Sequence, residues 1–159
     1  MSSPSSIFPT ARWRWCRFDA LSLRELQFIY MARQQVFSLE QNCVYLDADG
    51  SDEPAFHLAA WAPEHRVPLA YARIVDPGVK YAEPSIGRVI TTTAGRGAGL
   101  GRELIQRAVA QTVEAFPGQG IRISAQSHLQ AFYQAVGFAI ASERYLEDGI
   151  PHTEMLRKG

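Results

Sequence analysis

The stretch RGAGLGRELIQRAV, from Arg96 to Val109, places three glycines within five residues, directly before an apolar pattern of helical spacing. Glycine costs backbone entropy on folding, so a cluster of glycines before a helix indicates that bare backbone is needed there. The first N–H groups of a helix have no partner inside the helix, and the helix dipole adds positive potential at that end. The stretch therefore predicts a site at which main-chain amides bind an anion, with Arg96 adding a charged contact.

Two common nucleotide-binding motifs fit this loop poorly. A Walker loop has Lys-Ser or Lys-Thr after its last glycine, whereas Arg102 and Glu103 follow Gly101 here. A dinucleotide-binding fold has G-x-G-x-x-G near its first strand. This loop reads G-x-G-x-G, and it follows the third of three consecutive predicted strands.

Hydrophobic periodicity predicts the elements on both sides of the loop. Predicted strands cover residues 12–18, 56–62, 68–75, 85–93, 120–125, 138–145 and 152–157. Predicted helices cover residues 23–38, 100–116 and 127–136, with N-caps at Ser22 and Ser127 and a stop at Gly137. This order of elements predicts an α/β layer architecture with a mixed sheet.

The composition limits the class of protein. The chain has 159 residues, 47% of them hydrophobic and 20% charged, and its formal net charge is zero. These values predict a single globular domain at residues 12–159 behind a flexible, Ser- and Pro-rich tail at residues 1–11. They argue against a nucleic-acid partner and a membrane span. Cys16 and Cys43 have no CxxC partner, which indicates a reducing, cytoplasmic setting, and the spacing of the histidines predicts no metal site.

Two motifs in the second half of the chain resemble those of a known superfamily. Arg96, Gly99 and Gly101 form R-x-x-G-x-G, which resembles the pyrophosphate-binding motif of the GNAT (Gcn5-related N-acetyltransferase) superfamily. AFYQAVGF, at residues 131–138, resembles its second signature. Further stretches resemble the ElaA-type branch: RQQVFSLEQNCVYLDADGSD at 33–52, SIGRV at 85–89, AQSHLQAFY at 125–133 and YLEDGIPHTEM at 145–155.

The resemblance implies a GNAT fold and its reaction. The implied fold is a mixed, mostly antiparallel sheet of six or seven strands flanked by about four helices, with a V-shaped splay between strands 85–93 and 120–125. The implied activity moves an acetyl group from acetyl-CoA, a cosubstrate, to a primary amine by direct attack in a ternary complex, with no metal and no acyl-cysteine. The acceptor stays unidentified, and the protein is expected to be a monomer or homodimer. A non-catalytic acyl-CoA sensor or partner module is the alternative.

The resemblance also implies the residues that bind the donor. Main-chain groups of the first splayed strand would pair with the pantetheine arm, and a bulge N–H near Val89 would polarise the acetyl carbonyl. Gln126 stands where the superfamily often has Asn. The expected donor-binding residues are Val89, Ile90, Thr91, Arg96, Gly97, Ala98, Gly99, Leu100, Gly101, Arg102, Gln126, Phe132 and Tyr133.

Two catalytic roles are expected. Tyr133 is the candidate general acid that protonates the leaving thiolate, because residue 133 is turned about 100° from Phe132 on the helix and can face the cleft. A base is needed because an amine with a pKa near 10 is mostly protonated at neutral pH. Glu40 is the first candidate, and His128, Glu154 and a water chain are the others.

The acidic segment after the first predicted helix does not match a calcium loop. Counting from Asp47, Gly50 falls at position 4 and Leu58 at position 12, where an EF-hand needs Gly at 6 and Glu at 12. We expect Asp47, Asp49 and Asp52 to form a solvated loop or a rim that attracts a cationic acceptor. Arginines 33, 73 and 88 are predicted at buried positions with carboxylate partners, one or more of them paired with Glu40 or Glu83.

Overall fold

The computed structural model describes residues 11–159, so the tail predicted at residues 1–11 lies outside the described residues apart from Ala11. The strands are β1 Arg12–Arg17, β2 Phe56–Trp61, β3 Ala70–Val75, β4 Ser85–Thr91, β5 Ile121–Gln126, β6 Ala139–Ile140, β7 Tyr145–Glu147 and β8 Ile150–Arg157. The helices are α1 Leu23–Gln34, α2 Leu100–Ala115 and α3 Gln130–Gln134. A π-helical segment, Gln35–Glu40, continues α1, so this helix reaches beyond its predicted end at residue 38.

The strands form two antiparallel sheets. One has the order β1-β2-β3-β4, and the other has β5-β8-β6 with β7 also pairing with β8. Eight strands appear where six or seven were expected, because the strand predicted at 138–145 is broken into β6 and β7. In the break, the Ser142 hydroxyl accepts a hydrogen bond from the Glu154 N–H at 2.8 Å. A side chain therefore replaces the main-chain ladder there.

Helices cover both faces of the first sheet. Ala59 and Tyr71 pack with Ile29 of α1 in one core, whereas Leu58 packs with Leu104 of α2 in the other. Neighbouring residues on a strand point to opposite faces, so this alternation puts α1 and α2 on opposite sides of the sheet. Burial on both faces explains why the β2 and β3 sequences read as almost continuous apolar runs.

The helix boundaries test the predicted caps. Ser22 and Glu25 form the predicted capping box, each side chain bonding the other's main-chain N–H, at 3.0 and 2.9 Å. The N-cap predicted at Ser127 is wrong: residues 127–129 form a 3-10 turn before α3, and the Ser127 hydroxyl lies 3.4 Å from the Thr153 hydroxyl instead. Within residues 11–159, no helix has the length and apolarity needed to cross a membrane.

The two sheets meet where β4 and β5 begin. The N–H of Arg122, the second residue of β5, donates a 3.1 Å hydrogen bond to the carbonyl of Pro84, which precedes β4. Further along both strands a cavity separates them. The sheets are therefore joined at one end and open at the other, as in the expected V-shaped splay.

Candidate active site

A cavity of about 400 Å³ lies in the gap between β4 and β5. Residues 86–89 of β4 line one wall, and Ser124 and Gln126 of β5 line the other. Tyr133 of α3 and four residues around the β7–β8 hairpin, Glu147, Asp148, Ile150 and His152, also line it. The loop after the π-helical segment contributes Gln41, Cys43, Tyr45, Leu46 and Asp49. The cavity therefore joins parts of the chain that are far apart in sequence.

A β-bulge interrupts β4 inside this cavity. Tyr71 of β3 pairs with Ile90, but Arg73 pairs with Gly87, so β4 has one extra residue at this point. Arg88 takes a positive φ of 51°, which is uncommon for a residue other than glycine. The bulge expected near Val89 is thus present. It leaves main-chain groups of this edge strand outside the ladder with β3, in a stretch that lines the cavity.

Buried ion pairs hold the bulge and the loop before β2 together. Arg33 contacts Asp52 at 2.7 Å and Asp47 at 2.9 Å, and its side chain has no solvent exposure. Arg73 joins Asp52 at 3.0 Å and Asp49 at 2.7 Å, and Arg88 lies 2.9 Å from Asp47. We call these six residues the Arg–Asp network. It ties α1, β3 and the β4 bulge to one loop.

The network corrects two expectations. The acidic segment is not a solvated loop, because Asp47 and Asp52 are 8% and 2% exposed. The three arginines pair with these aspartates and not with Glu40 or Glu83. Burial alone would raise the pKa of Asp52, but the hydrogen bonds and charges of Arg33 and then Arg73 outweigh burial and lower that pKa. Asp52 therefore stays ionised inside the protein.

A buried histidine, His57, contacts the main chain of the Arg–Asp network. His57 is 1% exposed, and its Nε2 lies 2.8 Å from the Asp52 carbonyl while its Nδ1 lies 2.7 Å from the Tyr71 hydroxyl. A carbonyl only accepts, so Nε2 carries the proton and Nδ1 accepts from Tyr71. Burial lowers the pKa of His57, so the ring stays neutral in the folded protein.

This histidine predicts a pH dependence of stability. Below the ordinary pKa of 6.5 the unfolded chain binds a proton at His57 that the folded chain does not. The free energy of unfolding should therefore decrease as pH falls below 6.5, until the lower folded pKa is reached. Urea unfolding at a series of pH values measures this loss. A His57 ring found protonated in the folded protein at pH 6 by nitrogen NMR would contradict the assignment.

Tyr133 reaches the cavity from α3. The side chain is 6% exposed and packs edge-on against Phe132 and Phe138, with ring centroids 5.1 and 5.9 Å away. It lines the cavity as well as belonging to the core. Burial raises the pKa of its hydroxyl, so the phenol is protonated at neutral pH.

The glycine loop leaves the start of α2 open. Gly97 and Gly99 have φ of 86° and 73°, in the left-handed region, and α2 begins at Leu100. No side chain caps this helix, in contrast to the capping box of α1. At the start of the loop, a Cβ on Gly95 would lie 2.3 Å from the Leu69 carbonyl, so glycine is required there for close packing. The result is a loop that presents uncapped amides at the start of α2.

Arg96 of this loop contacts Glu40, the last residue of the π-helical segment, and neither side chain lines the cavity. Arg96 Nη2 donates to Glu40 Oε1 at 2.5 Å, and Nε and Nη2 donate to the Thr91 carbonyl at 3.1 and 2.9 Å. The other two candidate bases are also outside the cavity: His128 is exposed, and Glu154 pairs with Arg122 at 3.2 Å. None of the three side chains predicted as a base lines the cavity.

The remaining predicted donor contacts are divided between the cavity and the cores. Val89 and Gln126 line the cavity, and Gln126 donates to Gln41 across it at 3.3 Å. The side chains of Ile90 and Leu100 are buried in the two cores, which leaves only their main chain for a ligand. Phe132 packs against the core beside Tyr133, and Ala98, Gly101 and Arg102 lie at the α2 N-terminus.

Sequence reasoning missed two residues that line the cavity. His152 and Glu147 face each other across the β7–β8 hairpin, with Nε2 and Oε2 3.3 Å apart. Both lie in YLEDGIPHTEM, the stretch that resembles the ElaA-type branch. That resemblance is the signal that the sequence offers for both residues.

Comparisons with known proteins agree with this architecture. A family model described as an acetyltransferase (GNAT) domain matches residues 53–158. Protein ElaA of Escherichia coli is 37% identical over 148 residues, covering 92% of this chain and 95% of that protein, and its crystal structure superposes with a TM-score of 0.86. A crystal structure of an acyl-CoA N-acyltransferase from Pseudomonas aeruginosa is 39% identical, with a TM-score of 0.87, and covers 92% of this chain and 99% of that one.

Proposed function

This chain belongs to the GNAT acetyltransferase family, in its ElaA-type branch, and from that premise we propose that it transfers an acetyl group from acetyl-CoA to a primary amine. The observation that carries the proposal is one cavity bounded by both the β4 bulge and Tyr133. An acyl transfer needs a donor for the carbonyl oxygen and an acid for the leaving sulfur, and these two features supply them.

The uncapped start of α2 supports binding of the donor. Residues 96–102 would hold the pyrophosphate of coenzyme A through main-chain amides, helped by the helix dipole. Arg96 has to exchange its contact with Glu40 for a phosphate oxygen to add its charge there. The pantetheine arm would then run along the free edge of β4, past Val89 to Thr91, with Gln126 opposite.

The bulge would act on the carbonyl oxygen of the thioester, and Tyr133 would act on its sulfur. A main-chain N–H turned out at Val89 would stabilise the negative charge that develops on the carbonyl oxygen. Tyr133 would protonate the departing sulfur. Burial raises the pKa of Tyr133, so the proton is present when the sulfur leaves. Burial also disfavours a thiolate in the same cavity, and this offsets the weaker acidity of the phenol.

The cysteine in the cavity supports direct attack over an acyl-enzyme. Cys43 lines the cavity, but burial, and then the charge of Asp148, raises the pKa of its thiol. A reactive cysteine needs a lowered pKa to form thiolate at neutral pH. The amine would therefore attack the thioester itself within a ternary complex.

The test is thiol release from acetyl-CoA with a panel of amines, with mass detection of the acetylated product. Release that depends on one amine class supports the transferase. Propionyl- and butyryl-CoA in parallel determine whether acetyl is the preferred group. Binding of coenzyme A without thiol release for any amine would favour the alternative, a non-catalytic acyl-CoA sensor.

Gly99→Val should weaken binding of coenzyme A by about tenfold or more, equivalent to about 1.4 kcal/mol. The side chain would cover the amides that the pyrophosphate needs, although a Cβ at residue 99 has no protein atom beyond its chain neighbours within 4 Å. Gly78→Val is the matched control, because Gly78 has a φ of 87°, equally open surroundings and a place in a different turn. Calorimetry that gives both variants the same affinity as the unchanged protein would refute binding of the pyrophosphate by the glycine loop.

A further inference from the structure

The β7–β8 hairpin presents a histidine of fixed orientation to the cavity. His152 is 6% exposed, and its ring stacks on Tyr145 with centroids 6.2 Å apart. Its Nδ1 lies 2.7 Å from the Ile150 carbonyl. Because a carbonyl only accepts, Nδ1 carries a proton, and Nε2 is the nitrogen that gains and loses one.

Nε2 faces a carboxylate. It lies 3.3 Å from Glu147 Oε2, while the other carboxylate oxygen accepts from the Ser124 hydroxyl at 3.4 Å. With a neutral ring, both Nε2 and Oε2 are acceptors, so the pair in this state needs a donor from a ligand or from solvent. An alkylammonium group satisfies this need because it donates several hydrogen bonds and carries the charge that the carboxylate attracts.

The charge of the cavity fits the same ligand class. Arg88 and Asp49 both line the cavity but neutralise each other at 3.2 Å. The other charged side chains in the lining are the two carboxylates Glu147 and Asp148 and one cation, Lys80. This end of the cavity therefore has an excess of negative charge when His152 is neutral.

We propose that Glu147 and His152 form the acceptor end of the cavity: Glu147 binds the ammonium group of a small cationic amine, and His152 takes its proton. This inference rests on the proposed acyl transfer. It also explains the missing base, because the hydrogen bonds and exposure described above keep Glu40, His128 and Glu154 away from the cavity.

The steps balance. The ammonium passes one proton to His152 Nε2 and becomes a neutral amine, while Glu147 holds the imidazolium. The amine nitrogen attacks the thioester carbonyl, so that a C–N bond forms, the C–S bond breaks and Tyr133 protonates the sulfur. After the attack, the nitrogen loses a second proton, which reaches the Tyr133 phenolate through solvent and restores the phenol. His152 releases the proton that it took to solvent. The net products are an amide, free coenzyme A and one proton.

The first test measures turnover. His152→Gln keeps a hydrogen-bonding side chain but removes the proton acceptor, and should lower kcat by about a hundredfold. Glu147→Gln should mainly raise KM for the amine. Neither change should alter the Kd for acyl-CoA. His65→Gln, an exposed histidine outside the cavity, is the control and should keep full turnover. Full turnover in His152→Gln would overturn the proposal.

The second test does not depend on turnover. The ring nitrogens of His152 are followed by NMR in the presence of coenzyme A during titration with 1,4-diaminobutane, and with 1,4-butanediol as the uncharged match. Nε2 should respond to the diamine alone, and the response should disappear in Glu147→Gln. A ring that ignores the diamine, or responds equally to the diol, would overturn the acceptor site. A response without any thiol release would refute the transferase and leave the amine site standing.

Discussion

Asp52→Asn is expected to lower the free energy of unfolding by about 3–5 kcal/mol. Asp52 is 2% exposed and accepts hydrogen bonds from Arg33 at 2.7 Å and Arg73 at 3.0 Å. The amide has nearly the same size, so no cavity forms, but the Arg–Asp network is left with three arginines and two aspartates, and therefore with one uncompensated positive charge. An unpaired buried charge costs far more than the pair contributes.

The matched control is Asp76→Asn. Asp76 pairs with Arg17 at 2.9 Å, but the two side chains are 34% and 39% exposed. Solvent screens such a pair, so this variant should lose less than about 1 kcal/mol. Urea unfolding of both variants provides the comparison. Equal losses would show that burial gives the Arg–Asp network no special weight.

Asp52→Asn should also disturb the cavity. Asp47 and Asp49 of the network bind Arg88, the residue of positive φ in the β4 bulge, and the Tyr45 hydroxyl donates to Asp47 at 3.2 Å. A residue in such a conformation persists only where its surroundings hold it. We infer that the network keeps the bulge in the shape that the acyl group needs.

Tyr133→Phe is expected to lower kcat by about a hundredfold, the size of a lost general acid. The variant keeps the ring contacts with Phe132 and Phe138 and removes only the hydroxyl at the cavity. Affinity for acetyl-CoA and the free energy of unfolding should therefore stay close to their original values. The expected loss in kcat is this large if departure of the thiolate, the step that the Tyr133 hydroxyl would assist, limits the rate.

The control for this variant is Tyr30→Phe. Tyr30 lies on α1, partly buried against the other core and outside the cavity, so loss of its hydroxyl should not change turnover. Saturating kinetics and calorimetry separate kcat from donor affinity. If Tyr133→Phe turns over at the original rate, the sulfur leaves without help from this phenol, and the acid has to be sought elsewhere.

Local patterns predicted the elements on which the site is built. The glycines at 97 and 99 do adopt left-handed conformations before α2, and Tyr133 does reach the cavity. Sequence failed for the strand at 138–145, because a single serine hydroxyl replaced a ladder bond. The contact between Glu40 and Arg96 was not predicted either, because the two residues are 56 positions apart and local patterns do not relate them.

What the sequence alone determined is the glycine loop, the helix that follows it and the family. These depend on main-chain amides, helix caps and spacings of contiguous residues, which are local properties. Tertiary structure decided the Arg–Asp network and the Glu147–His152 pair at the cavity. Arg88 and Asp47 are 41 residues apart, and whether such charges are solvated or paired depends on burial that only chain packing creates. An aspartate-rich loop has the same sequence whether it is solvated or buried, but the electrostatic energy of its carboxylates differs between water and the protein interior.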